Sequence, residues 1–234
     1  MNTLKVATWN IENFHLNNNN IGKSCAIINL LTDEGIDILA LQAVNPLLVE
    51  EITKRLERRK NGYAITTPHK KYINPIKNIS VEYNVIVSKL DKMTQGRHDM
   101  LPKFELCKKR NITWQMLEDN VILNIANIDP NTSKSRRRQL DEVIKLIEKQ
   151  TKYGSFDACF AGTINESLTE ENMSRFQKKI AARNMQMVTL SDHRSTDAIV
   201  LAKNWQVESV KVIDQYDIVS SHRPMIVKVR KYSK

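Results

Sequence analysis

The feature that most constrains this fold is a series of short apolar runs of strand length, each closing on polar residues. Residues 4–9 (LKVATW), 36–41, 63–66, 83–88, 121–128, 158–161, 198–202, 207–213 and 225–230 read as strands. Between them the apolar spacing changes to three and four. Ile21, Cys25, Ile28 and Leu31 mark one helix, ended by Gly35, and Leu48, Val49, Ile52 and Leu56 mark a second behind Pro46. Leu140, Val143, Ile144 and Ile147 form the stripe of a third over residues 136–149, with Thr132 or Ser133 as its cap. Residues 169–184 read as a fourth helix, capped by Thr169. This alternation, with extra strands in the middle and at the end, predicts an α/β fold of two packed sheets flanked by helices. Asn17–Asn20 is a polar tract and no Gly-, Pro- or Ser-rich linker follows, so residues 1–234 are expected to form one domain.

A chain of 234 residues buries enough surface to need no disulfides. Its three cysteines, Cys25, Cys107 and Cys159, are scattered without metal-ligand spacing and read as small buried hydrophobes. No apolar run reaches the ~20 residues that span a bilayer, and the first residues lack a secretory pattern, so an intracellular, cytoplasmic protein without membrane insertion is expected. The net charge of +10 is more telling. Basic clusters at 54–60 (KRLERRK), 108–110, 134–138 and 178–179 favour a polyanion such as DNA or RNA over solvated helix faces, because phosphate contacts release condensed counterions.

The polar strand ends, in order, are Thr8-Trp9-Asn10, Leu41-Gln42-Ala43, Ala126-Asn127-Ile128, Gly162-Thr163-Ile164-Asn165, Thr196-Asp197-Ala198-Ile199 and Ser220-Ser221-His222-Arg223-Pro224. This series resembles the motifs of the endonuclease/exonuclease/phosphatase superfamily over nearly the whole chain, and Arg138-Gln139-Leu140 matches a helix signature after the family's middle strand. The resemblance implies a four-layered α/β sandwich, with two packed, mainly antiparallel sheets and a site at one end of them. It also implies Mg²⁺- or Mn²⁺-dependent hydrolysis of phosphoric esters.

Residue by residue the resemblance is uneven. Asn10 and Asn165 match asparagines on the phosphate side of the family site, Asp197 matches the late acid, and His222 matches the catalytic histidine. The implied catalytic remnant is His222, Asp197 and Asn165, and the implied phosphate-binding set is Asn10, Asn165 and His222. Four positions depart. Ala43 stands where the family has a metal-binding Glu, Asn127 where it has a phosphate-facing His, Thr163 where an Asp orients the attacking water, and Ser221 where an Asp is expected to support the histidine.

A methyl group offers Mg²⁺ no oxygen, and Mg²⁺ is held by only one or two carboxylates in most sites. A hydroxyl at 163 cannot serve as a base at neutral pH, a role worth ~10²–10⁴ in rate. Four losses at four motifs favour natural degeneration over a single exchange. The leading expectation is a catalytically impaired homologue that acts by binding nucleic acid or a protein partner. The alternative is an active, divergent Mg²⁺- or Mn²⁺-dependent enzyme with relocated ligands, drawn from Glu12, Asp129, Asp192, His193, Arg194 or Asp197. Among these, Glu12 and Asp197 are the metal candidates. Lys23, Arg110 and Arg194 are candidate phosphate donors, and Trp9 is expected to pack behind the site.

Overall fold

The computed structural model describes residues 3–12, 19–66, 83–92, 97–100, 111–128, 132–152, 156–165, 171–192, 195–216 and 219–232, without the side chains of 97–100 and 191–195. The elements run β1 (Thr3–Asn10), α1 (Asn20–Asp33), β2 (Ile38–Val44), α2 (Pro46–Arg59), β3 (Ala64–Thr66), β4 (Tyr83–Ser88), β5 (Arg97–Met100) and β6 (Asn111–Leu117). They continue with β7 (Val121–Asn127), α3 (Ser133–Lys152), β8 (Asp157–Thr163), α4 (Glu171–Ala181), β9 (Gln186–Asp192), β10 (Ser195–Leu201), β11 (Trp205–Val212) and β12 (Met225–Lys231).

Two six-stranded sheets result, in the orders β11-β12-β1-β2-β4-β3 and β5-β6-β7-β8-β10-β9. Each has one parallel pair at its centre, β1 with β2 and β7 with β8, and every other pairing is antiparallel. A parallel pair needs a long crossover, and α1 and α3 supply it. The expected sandwich of two mainly antiparallel sheets flanked by helices is therefore borne out.

Alternation along the strands sorts the apolar residues into three layers of core. Leu4, Val6, Ile38, Ala40 and Ile86 of the first sheet meet Leu123, Ile125, Cys159, Ala161 and Ile199 of the second. The opposite face of the first sheet, including Ala7, Trp9, Leu39 and Leu41, packs under α1 and α2. The outer face of the second, including Ala126, Phe160 and Val200, packs under α3 and α4.

The second helix matches its expected stripe: Leu48, Val49, Ile52 and Leu56 are its buried residues, and the Asn45 side chain caps it by accepting from the Leu48 amide at 2.8 Å. Thr132 caps α3, accepting from the Ser135 amide at 3.1 Å. The first helix corrects the sequence reading. Ile21 is 63% exposed, Cys25 is only half-buried, and the buried face instead runs through Ser24, Ile27, Ile28 and Leu31. Ser24 tolerates that position because its hydroxyl donates to the Ile21 carbonyl and accepts from Arg55 Nε. Strands β5, β6 and β9 were not expected. In β6 the buried positions include Thr113 and Gln115, so polar residues interrupt the apolar alternation that marks a strand. Gln115 is accommodated by a hydrogen bond from Thr66. Cys107 and Thr169 lie outside the described residues.

Candidate functional site

The site follows from strand parity. In β1, Leu4 and Val6 point between the sheets, and Thr8 and Asn10 continue the same face. By the same count of two, Ile38 and Ala40 lead to Gln42, Leu123 and Ile125 to Asn127, Cys159 and Ala161 to Thr163, and Leu201 and Ile199 to Asp197. Each strand thus delivers a polar side chain to one end of the inter-sheet core. Pairing aligns Asp197 with Thr163, Thr163 with Asn127, and Asn10 with Gln42.

Contacts across the sheets close the cluster. Asn10 Nδ2 donates to Thr163 Oγ1 at 3.1 Å, and that hydroxyl donates onward to Asp197 Oδ1 at 2.5 Å. His222 Nδ1 lies 2.9 Å from the other oxygen of Asp197, with both residues buried. A carboxylate can only accept, so the imidazole carries a proton on Nδ1. The histidine backbone is fixed as well. Trp9 Nε1 donates to the His222 carbonyl at 2.8 Å, the His222 amide donates to Ser220 Oγ at 3.1 Å, and that hydroxyl donates to the Asn10 carbonyl at 2.7 Å. Trp9 therefore does pack behind the site, its ring 5.3 Å from that of Tyr216.

These contacts reassign two roles. Support for the imidazole comes from Asp197, so the serine at 221 does not remove it. Ser221 instead faces Glu12: its hydroxyl and its amide donate to Glu12 Oε2 at 2.6 and 3.0 Å, with Ser220 Oγ 3.3 Å away and its hydrogen given to the Asn10 carbonyl. Glu12 Oε1 stands 3.9 Å from His222 Nε2. Burial works to raise the Glu12 carboxyl, but the Ser221 hydrogen bonds and the His222 charge outweigh it and hold the group below its ordinary value. Glu12 turns inward on a left-handed backbone, φ 47°, with its amide donating to Asn10 Oδ1 at 3.1 Å. Lys23 is drawn to the same end, donating to the Ile11 carbonyl at 2.8 Å; burial lowers its ammonium and the nearby Glu12 charge opposes that.

Ala43 is completely buried and also left-handed, φ 54°, where the pairing of β2 with β4 shifts register between Leu41 and Val44. Gln42 is buried and tied to Thr8 and the Ala40 carbonyl. Asn165 Nδ2 donates to Asn127 Oδ1 at 2.9 Å and to the Ile128 carbonyl at 2.5 Å, which uses both of its hydrogens. The expected phosphate trio is thus unequal. Asn10 bonds Thr163 and His222 bonds Asp197, both within the cluster, whereas Asn165 braces Asn127 and the Ile128 carbonyl. Asp129, His193, Arg194, Arg110 and the side chain of Asp192 lie outside the described residues.

Among the described residues the donor set fits a resident Mg²⁺ poorly. Among the described residues no three His, Cys, Asp or Glu side chains are arranged to hold a metal ion. Both oxygens of Asp197 are engaged and Glu12 Oε2 accepts from the Ser221 hydroxyl and amide, so for an ion held by one or two carboxylates and water these two offer little beyond Glu12 Oε1. No helix among the described residues is long and apolar enough to cross a membrane.

No protein-family model and no curated protein matches the chain. Solved structures do. An endonuclease/exonuclease/phosphatase family protein from Bacteroides thetaiotaomicron superposes with a TM-score of 0.75 at 13% identity, over 100% of this chain and 98% of the other. A mannosyl-6-phosphatase from the same organism gives 0.76 at 14%, over 97% and 99%. D. rerio TDP2, complexed with a single-strand DNA product, gives 0.69 at 13%, over 99% and 100%. Together with the motif series and the sheet order, these likenesses show that the chain has the fold of the endonuclease/exonuclease/phosphatase proteins.

Proposed function

We propose that this protein is a catalytically impaired relative of the phosphoric-ester hydrolases that share its fold, and that it works by binding the phosphates of a nucleic acid. One observation carries the impairment: Thr163 donates its proton to Asp197. The hydroxyl cannot take a proton from water, and the carboxylate it bonds is already engaged on both oxygens. Ala43 adds a methyl group where the resemblance implies an anion. Binding is supported by the net charge of +10 and by the partly buried Lys23. That one structure of the same fold holds single-strand DNA is consistent with this partner class.

The test combines binding and hydrolysis. The natural chain should shift DNA and RNA with an affinity that falls steeply with salt, and should show no Mg²⁺- or Mn²⁺-dependent nicking or phosphatase activity. A variant carrying Ala43→Glu, Asn127→His, Thr163→Asp and Ser221→Asp should gain hydrolysis. A fully active natural chain would overturn the reading.

The intact Asp197–His222 pair, with the Glu12 carboxylate beside it, favours a second reading as a divergent metal-dependent hydrolase. Robust Mn²⁺-dependent cleavage abolished by His222→Ala would establish it.

A further inference from the structure

Three groups that bind anions well converge on one carboxylate of the chain itself. Ser221 offers an amide and a hydroxyl, and His222, once protonated on both ring nitrogens, offers Nε2–H 3.9 Å away, all toward Glu12. Lys23 adds positive charge from α1. These donors belong to two distant segments, and the turn that carries most of them is held rigid by Trp9 and by the Asn10 carbonyl. Glu12 is the less constrained partner. Its side chain is 33% exposed, and it enters through a left-handed backbone that a non-glycine residue rarely adopts. Two carboxylate oxygens match two oxygens of a phosphate in charge and in the donors they accept.

We propose that the Ser220–His222 turn and Lys23 form a cradle for a phosphate group, and that Glu12 fills it as an internal stand-in which the ligand must displace. The proposal rests on the phosphate-binding reading and sharpens it by naming the anion subsite and what closes it. Displacement needs only rotation of one partly exposed side chain, because the donors are already in place. The closed state weakens binding of small phosphates, since each must compete with a tethered carboxylate at high local concentration.

Calorimetric titration of the full chain and of Glu12→Ala with inorganic phosphate tests this, with Glu12→Gln as a near-isosteric second variant and thermal melting as the folding control. Glu12→Ala should bind phosphate at least about tenfold more tightly than the natural chain, and Glu12→Gln should lie between. Equal or weaker binding by a folded Glu12→Ala would overturn the proposal. In the natural chain, saturating phosphate should move the ¹⁵N resonance of the Ser221 amide and the His222 ring, and an unmoved Ser221 amide would overturn it without any variant. Oligonucleotides with a 5′-phosphate and with a 5′-hydroxyl separate the ligand sources: a preference for the phosphorylated end in Glu12→Ala assigns the cradle to a nucleic-acid terminus, and indifference assigns it to free phosphate. Failure of the natural chain to bind any oligonucleotide, with the phosphate gain intact, would sink the nucleic-acid reading and leave the cradle standing.

Discussion

Replacing Asp197 by Ala removes the group on which the site is assembled. Asp197 is 4% exposed and accepts from Thr163 at 2.5 Å and from His222 at 2.9 Å. Hydrogen bonds to a charged group contribute roughly 1.5–3 kcal/mol each, and a buried donor left without a partner costs about 1–3 kcal/mol. Some of that is recovered, because the Thr163 hydroxyl keeps its bond from Asn10 and the imidazole can shift its proton to Nε2. A net loss of about 3–5 kcal/mol follows, the range for breaking a buried charged pair. For a domain of this length that lowers Tm by roughly 6–20 °C, at about 2–4 °C per kcal/mol. Asp197→Asn should cost less, about 1–2 kcal/mol, because its oxygen still accepts from Thr163 and only the contact to the ring reverses. Urea unfolding at constant m-value measures both losses, and ¹⁵N spectra of His222 report the tautomer, which should move from Nδ1–H to Nε2–H in Asp197→Asn. An Asp197→Ala loss below about 1 kcal/mol, or an unchanged tautomer in Asp197→Asn, would refute the pairing.

Gly162→Ala should destabilise by more than about 2 kcal/mol, because the added methyl collides with the Ala126 carbonyl at the β7–β8 pairing and presses on the Phe160 ring; a neutral substitution by urea unfolding would contradict that packing. Because the Glu12 carboxyl is held below its ordinary 4.5, its stabilisation is full above that pH and is lost as the pH falls through the depressed value. The stability gap between the natural chain and Glu12→Gln should accordingly close under acid, and a gap that stays constant from neutral to strongly acid pH would contradict the Ser221 contacts. Burial pushes the Cys159 thiol up to about 12, so at pH 8 a thiol reagent should leave Cys159 unmodified until the chain unfolds, while the half-buried Cys25 reacts in the native state; peptide mapping reads both.

Much of the site was legible because strand periodicity is local. Once residues 4–9, 121–128 and 158–161 are read as strands, counting by two from their core residues puts Asn10, Asn127 and Thr163 on the inner face, and the structure does so. The stripe of α2 was legible for the same reason, since residues three and four apart share a helix face whatever lies beneath. The stripe of α1 was not, because Ile21 and Ser24 are decided by what the helix lands on, and the bond from Arg55 makes a serine the better buried residue. Strand β6 was hidden because its buried Thr113 and Gln115 break the apolar alternation, and Gln115 is satisfied by Thr66, 49 residues away.

The sequence by itself determined that position 43 carries no carboxylate and position 163 no base, since side-chain chemistry needs no fold to be read. Only the tertiary structure decided which groups hold one another. Asp197 reaches a histidine 25 residues away and Glu12 a serine 209 residues away, distances over which no local pattern carries information. Strand register and the stacking of two sheets set those pairings, and they turn a set of separate losses into a site with a braced imidazole and an anion of its own.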